Sequence, residues 1–167
     1  MRYFLFVLAA SIIWFSLNRP LAGLPTDSPH FPLIAERSKY LVIASGICPQ
    51  PRNTKQAPSK YKQKINPLLA TTQNIEKGKL LYQVEAKPTA CKMCHGIRGN
   101  GNGLLARGLE PAPRNFTCKE TMEAISEGQL FWIIKKGSKG TAMPSHKFTL
   151  SDRDIWQIIY YLKSFYL

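Results

Sequence analysis

Acidic side chains are scarce in this chain of 167 residues: ten Asp and Glu stand against 23 Lys and Arg, a formal net charge of +13. So strong a bias favours acidic partners or an anionic surface. Nucleic acid is the weaker partner class, because no helix-turn-helix, zinc-finger spacing or interleaving of aromatic and basic residues accompanies the charge. Histidine is sparse, with three in the whole chain. No carboxylate pair or histidine cluster falls where a substrate could be worked on, which argues against an acid–base enzyme. The apolar run from Tyr3 to Leu17 has 15 residues, fewer than the ~20 of a membrane-spanning helix. Behind Arg2 and ahead of the small residues Ala22 and Gly23, it has the form of an export signal over residues 1–23. An uncleaved anchor is the alternative, and only then is the membrane a partner. Either way the bulk of the chain is expected outside the cytoplasm, in the periplasm or an equivalent compartment.

From residue 24 to 66 the composition shifts to Pro, Lys and Gln, with seven Lys or Arg against Asp27 and Glu36, a net of +5. Arg52, Lys55, Lys60, Lys62 and Lys64 among Pro49, Pro51 and Pro58 predict an extended, solvated arm or linker. It can serve as a docking arm, or as a tether or cover for the domain after it. Its apolar patch, Tyr40–Ala44, has no assigned partner. Globular patterning occupies 67–167, enough for one small domain with a modest core.

Cysteine is limited to four residues, unevenly placed. Cys48 and Cys118 stand alone, whereas Cys91-Lys92-Met93-Cys94-His95 has the C-x-x-C-H spacing that joins two thiols to the vinyl groups of one haem and offers the next imidazole to its iron. On a helical turn, residues three apart share a face, so both sulfurs and His95 can meet one planar ring system from one side. A thioredoxin-like pair would follow a strand, and no strand-like alternation precedes Cys91. A structural zinc site would need two more ligands at similar spacing.

The flanking segments read as helices. Around Asn74–Glu85, Ile75, Gly78 and Tyr82 share a face with Leu81 alongside. A glycine in mid-helix costs about 1 kcal/mol, so Gly78 signals close approach of another backbone, expected at Trp156 or Tyr160 of the last helix. That helix has Ser151 as N-cap, Asp154 three residues on, and an apolar stripe of Ile155, Trp156, Ile158, Ile159, Leu162 and Phe165. A further helix over Glu127–Lys136 is bounded by a Ser126/Gln129 capping box and Gly137. Its Leu130, Phe131, Ile133 and Ile134 can wall a cofactor pocket or simply fill the core. Gly96–Gly108 is a glycine-rich loop suited to wrapping a flat cofactor. It lacks the Gly-Lys-Ser/Thr ending of a phosphate loop.

His95 is the candidate proximal iron ligand, held by a backbone carbonyl from the Pro111–Pro113 loop. The candidate distal ligand is Met143 in Gly140-Thr-Ala-Met-Pro144, 48 residues on, where Pro144 fixes its own φ and biases Met143 toward extended backbone. Thioether ligation favours ferrous iron relative to bis-histidine. Cys118 is the alternative distal ligand, as a thiolate that lowers the potential. It can equally pair with Cys48, bridge to another chain, or be a small buried hydrophobe. His146 and His30 read as surface histidines, and His146, three residues past Met143, competes for the iron only if that loop shifts register.

Cys-x-x-Cys-His-Gly96, the glycine-rich loop, Pro113-Arg-Asn-Phe116, the helix Gly128–Gly137, Gly-Thr-Ala-Met-Pro144 and Leu150-Ser-Asp-Arg-Asp-Ile-Trp156 together resemble the class I monohaem cytochromes c over about residues 72–167. The resemblance implies an all-α fold around one covalent haem c, preceded here by the extended N-terminal arm, with single-electron transfer and no substrate chemistry. Lys and Arg would guide an acidic redox protein. Cys118 after Asn115-Phe-Thr117 departs from that pattern and is similar to the small heterodimeric His/Cys-ligated cytochromes of anaerobic ammonium-oxidising bacteria. That likeness implies a second reading, a cytochrome that binds or senses nitric oxide or carbon monoxide through His95/Cys118 ligation, partnered by another cytochrome subunit.

Overall fold

The last helix, α6 (Asp152–Lys163), is the element against which the helices Thr72–Leu80 and Glu127–Lys136 both pack in this computed structural model, which describes residues 47–50 and 52–167. The expectations placed on residues 1–46, namely the export signal, His30 and the Tyr40–Ala44 patch, lie outside the described residues. The other elements are α1 (Ser59–Lys62), α2 (Thr72–Leu80) continuing as a π-helical turn over Leu81–Glu85, α3 (Lys92–His95), α4 (Lys119–Glu123) and α5 (Glu127–Lys136). Among the described residues there is no strand, and no helix is long and apolar enough to cross a membrane.

Helix α6 begins at a complete capping box. The Ser151 side chain accepts from the Asp154 N–H while the Asp154 carboxylate accepts from the Ser151 N–H, satisfying donors that the first turn leaves unpaired. Ile155, Trp156, Ile158, Ile159 and Leu162 are all buried. Full burial of a side chain of this size contributes roughly 1.5–3 kcal/mol, so this stripe supplies much of the apolar core. Helix α2 crosses α6 at Gly78, where a Cβ would collide with the Gln157 carbonyl. The predicted close approach is real, but it falls at Gln157 and Ile158, between the two residues expected. Gln157 Nε2 donates to Asn74 Oδ1 at 3.0 Å, so the crossing carries its own buried polar contact.

Helix α5 keeps its predicted bounds and Ser126 cap, but the capping box is only half formed. Ser126 Oγ accepts from the Gln129 N–H at 3.2 Å. The Gln129 amide turns away from the cap: its Oε1 accepts from the Ala57 N–H at 2.7 Å and its Nε2 donates to the Lys55 carbonyl at 3.0 Å. Of the two roles open to Phe131, pocket wall or core, the structure takes the second: it stacks on Trp156 with ring centroids 4.4 Å apart and so belongs to the α5–α6 interface.

Of the roles open to the basic arm, its second half takes that of a cover for the domain rather than that of a solvated linker. Residues 47–50 and 52–66 run along the domain as a strap. Besides its bonds to Gln129, the strap contributes a Lys62 carbonyl that accepts from Ser126 Oγ at 3.0 Å. Asn66 N–H donates to Glu127 at 2.9 Å, and Asn66 Nδ2 to the Trp156 carbonyl at 3.0 Å. The Tyr61 carbonyl lies where a Cβ on Gly128 would be. Proline and lysine composition describes a chain with no core of its own. It is silent on whether backbone groups of such a chain find partners elsewhere, which here they do.

Candidate functional site

One cavity of about 370 Å³ gathers the residues that the sequence singles out: Cys91, Cys94, His95 and Met143 all line it. Cys91 precedes α3 and Cys94 and His95 lie on its single turn, where His95 N–H and Gly96 N–H close on the carbonyls of Cys91 and Lys92. The glycine-rich stretch holds this turn rather than the cavity. Gly101 N–H donates to the His95 carbonyl at 2.8 Å, Gly103 N–H to Cys94 at 3.0 Å and Leu105 N–H to Met93 at 2.7 Å. No residue from 96 to 108 lines the cavity. Its apolar walls come from α5 (Leu130, Ile133, Ile134), α6 (Ile158, Leu162) and Phe116.

His95 is fixed from two directions. Its Nδ1 donates to the Arg114 carbonyl at 3.0 Å, one residue beyond Pro113 and outside the Pro111–Pro113 pair expected for the role. Its ring stacks on Phe116 with centroids 4.5 Å apart. Burial, with the charges of Arg52 and Arg114 nearby, pushes His95 down to about 4 against the helping Arg114 carbonyl. The ring is therefore neutral near pH 7, and with Nδ1–H engaged its Nε2 lone pair is left for a metal. Tyr82, fully buried, donates from its hydroxyl to the Gly96 carbonyl at 2.7 Å and braces the end of the same turn.

Burial pushes the Cys91 thiol up to about 12 and raises Cys94 as well. A dithiol redox pair is favoured by the opposite shift, and among the described residues no further Cys, His, Asp or Glu gathers with Cys91 and Cys94 into a metal-binding group. Met143, half-buried, sits in a turn closed by Ser138 N–H to the Met143 carbonyl at 3.2 Å and by Thr141 Oγ1 accepting from the Met143 N–H at 3.2 Å.

Of the alternatives open to Cys118 the structure forms one, the pairing with Cys48, and the surface reading of His146 is corrected. Cys118 is buried but does not line the cavity, and its sulfur is bonded to Cys48. A disulfide sulfur is not a thiolate, and in this arrangement Cys118 offers no thiolate ligand. His146 is buried, not a surface residue, with Nδ1 on the Lys87 carbonyl at 2.8 Å. Arg52 and Arg114 both line the cavity, and sequence reasoning assigns a role to neither. The only available signal is the position of Arg114 inside Pro-Arg-Asn-Phe116.

Residues 73–162 match the family model described as cytochrome c oxidase, cbb3-type, subunit III. The chain belongs to this cytochrome c family. Cytochrome c domains carry haem and transfer electrons, and they are usually extracytoplasmic. The chain is 27% identical over 138 residues to the quinohemoprotein alcohol dehydrogenase ADH IIB of Pseudomonas putida, which covers 83% of this chain but only 18% of that enzyme. Among solved structures it is similar to a chain of the reducing HAO-like protein complex of Kuenenia stuttgartiensis, with a TM-score of 0.52, 29% identity, and coverage of 60% of this chain and 47% of that one. The cytochrome thus spans under half the length of each of these relatives. Its cavity fits a haem c: two protonated thiols on one helical turn, a neutral imidazole with one nitrogen already satisfied, a thioether, apolar walls for the ring system, and two guanidiniums for its carboxylates.

Proposed function

We propose that this chain is an exported cytochrome that carries single electrons between redox partners on one haem c, bonded through Cys91 and Cys94 and ligated by His95 and Met143. The observation that carries the reading is that the cavity joins the His95 imidazole, locked by the Arg114 carbonyl, with the Met143 thioether. The cofactor supplies a reversible one-electron change at iron. The chain's residues do the rest. Leu130, Ile133, Ile134 and Ile158 exclude water, His95 and Met143 offer uncharged ligands that favour the ferrous state, and the packed walls keep structural change on electron transfer small.

The excess of lysine supports steering toward an acidic partner. That the Kuenenia stuttgartiensis neighbour is part of a complex supports a second protein subunit as that partner.

The test is purification of the exported full-length protein, intact mass, and spectra of the oxidised and reduced forms with carbon monoxide. The expected protein is one covalent haem heavier than the mature polypeptide, low-spin, and inert to carbon monoxide when reduced. A colourless polypeptide of unmodified mass sinks the proposal. Rapid and complete carbon monoxide binding replaces the carrier reading with a gas-binding one.

A further inference from the structure

The cavity wall is strongly one-sided in charge. Among the described residues, Arg52, Arg114 and Lys62 line it together with no Asp or Glu. Among the described residues neither arginine is ion-paired: Arg52 Nη2 donates to the Ala112 carbonyl at 2.6 Å and Arg114 Nη2 to Thr54 Oγ1 at 2.9 Å. Burial depresses both, and Arg52 adds to the effect on Arg114, which is brought to about 10. Two like charges held near each other on a partly desolvated wall are a cost that an anion between them would remove. Arg114 comes from the cytochrome domain, but Arg52 comes from the strap, outside the region that matches the family.

The strap is built to hold Arg52 there. Gln50 Nε2 donates to the Pro113 carbonyl at 2.9 Å and its Oε1 accepts from the Asn115 N–H at 2.8 Å. With Arg52 on Ala112, the strap brackets the residue whose carbonyl positions His95. Four residues before Arg52, the Cys48–Cys118 disulfide ties the strap to the start of α4, with Cα atoms 5.4 Å apart.

We infer that the strap completes the cofactor site of this chain, Arg52 and Arg114 clamping the carboxylates of the haem, with the Cys48–Cys118 disulfide keeping Arg52 in place. The inference rests on the proposed haem site. The cavity's positive charge then favours the ferrous iron, which carries one charge less than the ferric form, and neutralises carboxylates that would otherwise favour the ferric form.

The test uses the full-length, haem-loaded protein. Arg52→Gln is expected to lower the ratio of reduced to oxidised iron about tenfold at a fixed electrode potential, a midpoint shift of about 59 mV. Arg52→Lys restores most of it, and Arg153→Gln, an exposed arginine away from the cavity, leaves it unchanged. Replacing both Cys48 and Cys118 by Ser lowers the potential in the same direction, and Arg52→Gln adds little on that background, because the two changes remove one interaction. A loaded Arg52→Gln protein with wild-type potential overturns the clamp and leaves the proposed function standing. An equal shift from Arg153→Gln also overturns it, as a general charge effect. Wild-type protein that attaches no haem overturns both readings.

Discussion

Gly78 and Gln157 meet with no room for a side chain: a Cβ on Gly78 would overlap the Gln157 carbonyl. Alanine at 78 would help an isolated α2 by about 1 kcal/mol, but here it must push the α2 and α6 backbones apart and stretch the Asn74–Gln157 bond. Gly78→Ala is expected to destabilise the protein by roughly 1–3 kcal/mol, seen as a lower denaturation midpoint. A midpoint at or above wild type would show that the helices slide apart freely.

Met143 tests the distal side. In Met143→Ala the weak ferric absorption that accompanies sulfur ligation should vanish, the potential should fall, and the reduced protein should bind carbon monoxide. An unchanged spectrum would remove Met143 from the iron.

Gln129 tests the strap without touching the disulfide. Gln129→Leu keeps the size and leaves the Ala57 N–H and Lys55 carbonyl without partners, at a cost of roughly 1–3 kcal/mol. The local consequence is faster tryptic cleavage at Lys55, Lys60 and Lys62 under native conditions. Equal cleavage rates in variant and wild type would show that the strap does not depend on this amide.

Glu127 predicts an acid limb. Burial alone would raise its carboxyl, but the Lys163 ammonium at 2.8 Å and the Asn66 N–H outweigh this and hold it below the ordinary 4.5. A carboxyl lowered in the folded state contributes stability that is present above its unfolded value and lost as pH falls through its folded value. Wild type should therefore lose stability below about pH 4.5 more steeply than Glu127→Gln, by on the order of 1 kcal/mol for this partly exposed pair. Parallel pH profiles would remove the pair from the acid response.

Much of the site is legible in the chain because it is local. Cys91, Cys94 and His95 are fixed relative to one another by one helical turn, and Met143 is marked by the proline after it. The capping box of Ser151 and Asp154 and the stripe on α6 come from spacing alone, and so does the glycine at the α2 crossing.

What the tertiary structure decided is non-local. The polar groups that tie the strap down find their partners outside its own segment, so composition described them as solvated, and α5, α6 and the 112–115 loop supplied their bonds. The same holds for the sulfur of Cys118, which the fold gave to Cys48, and for His146, whose partner carbonyl is 59 residues away in the chain. It holds for Arg52 too, an ordinary basic residue in a basic stretch until the fold set it beside Arg114 over the cavity. Periodicity records which face a helix turns inward, but a charge acquires its role from the groups around it in space.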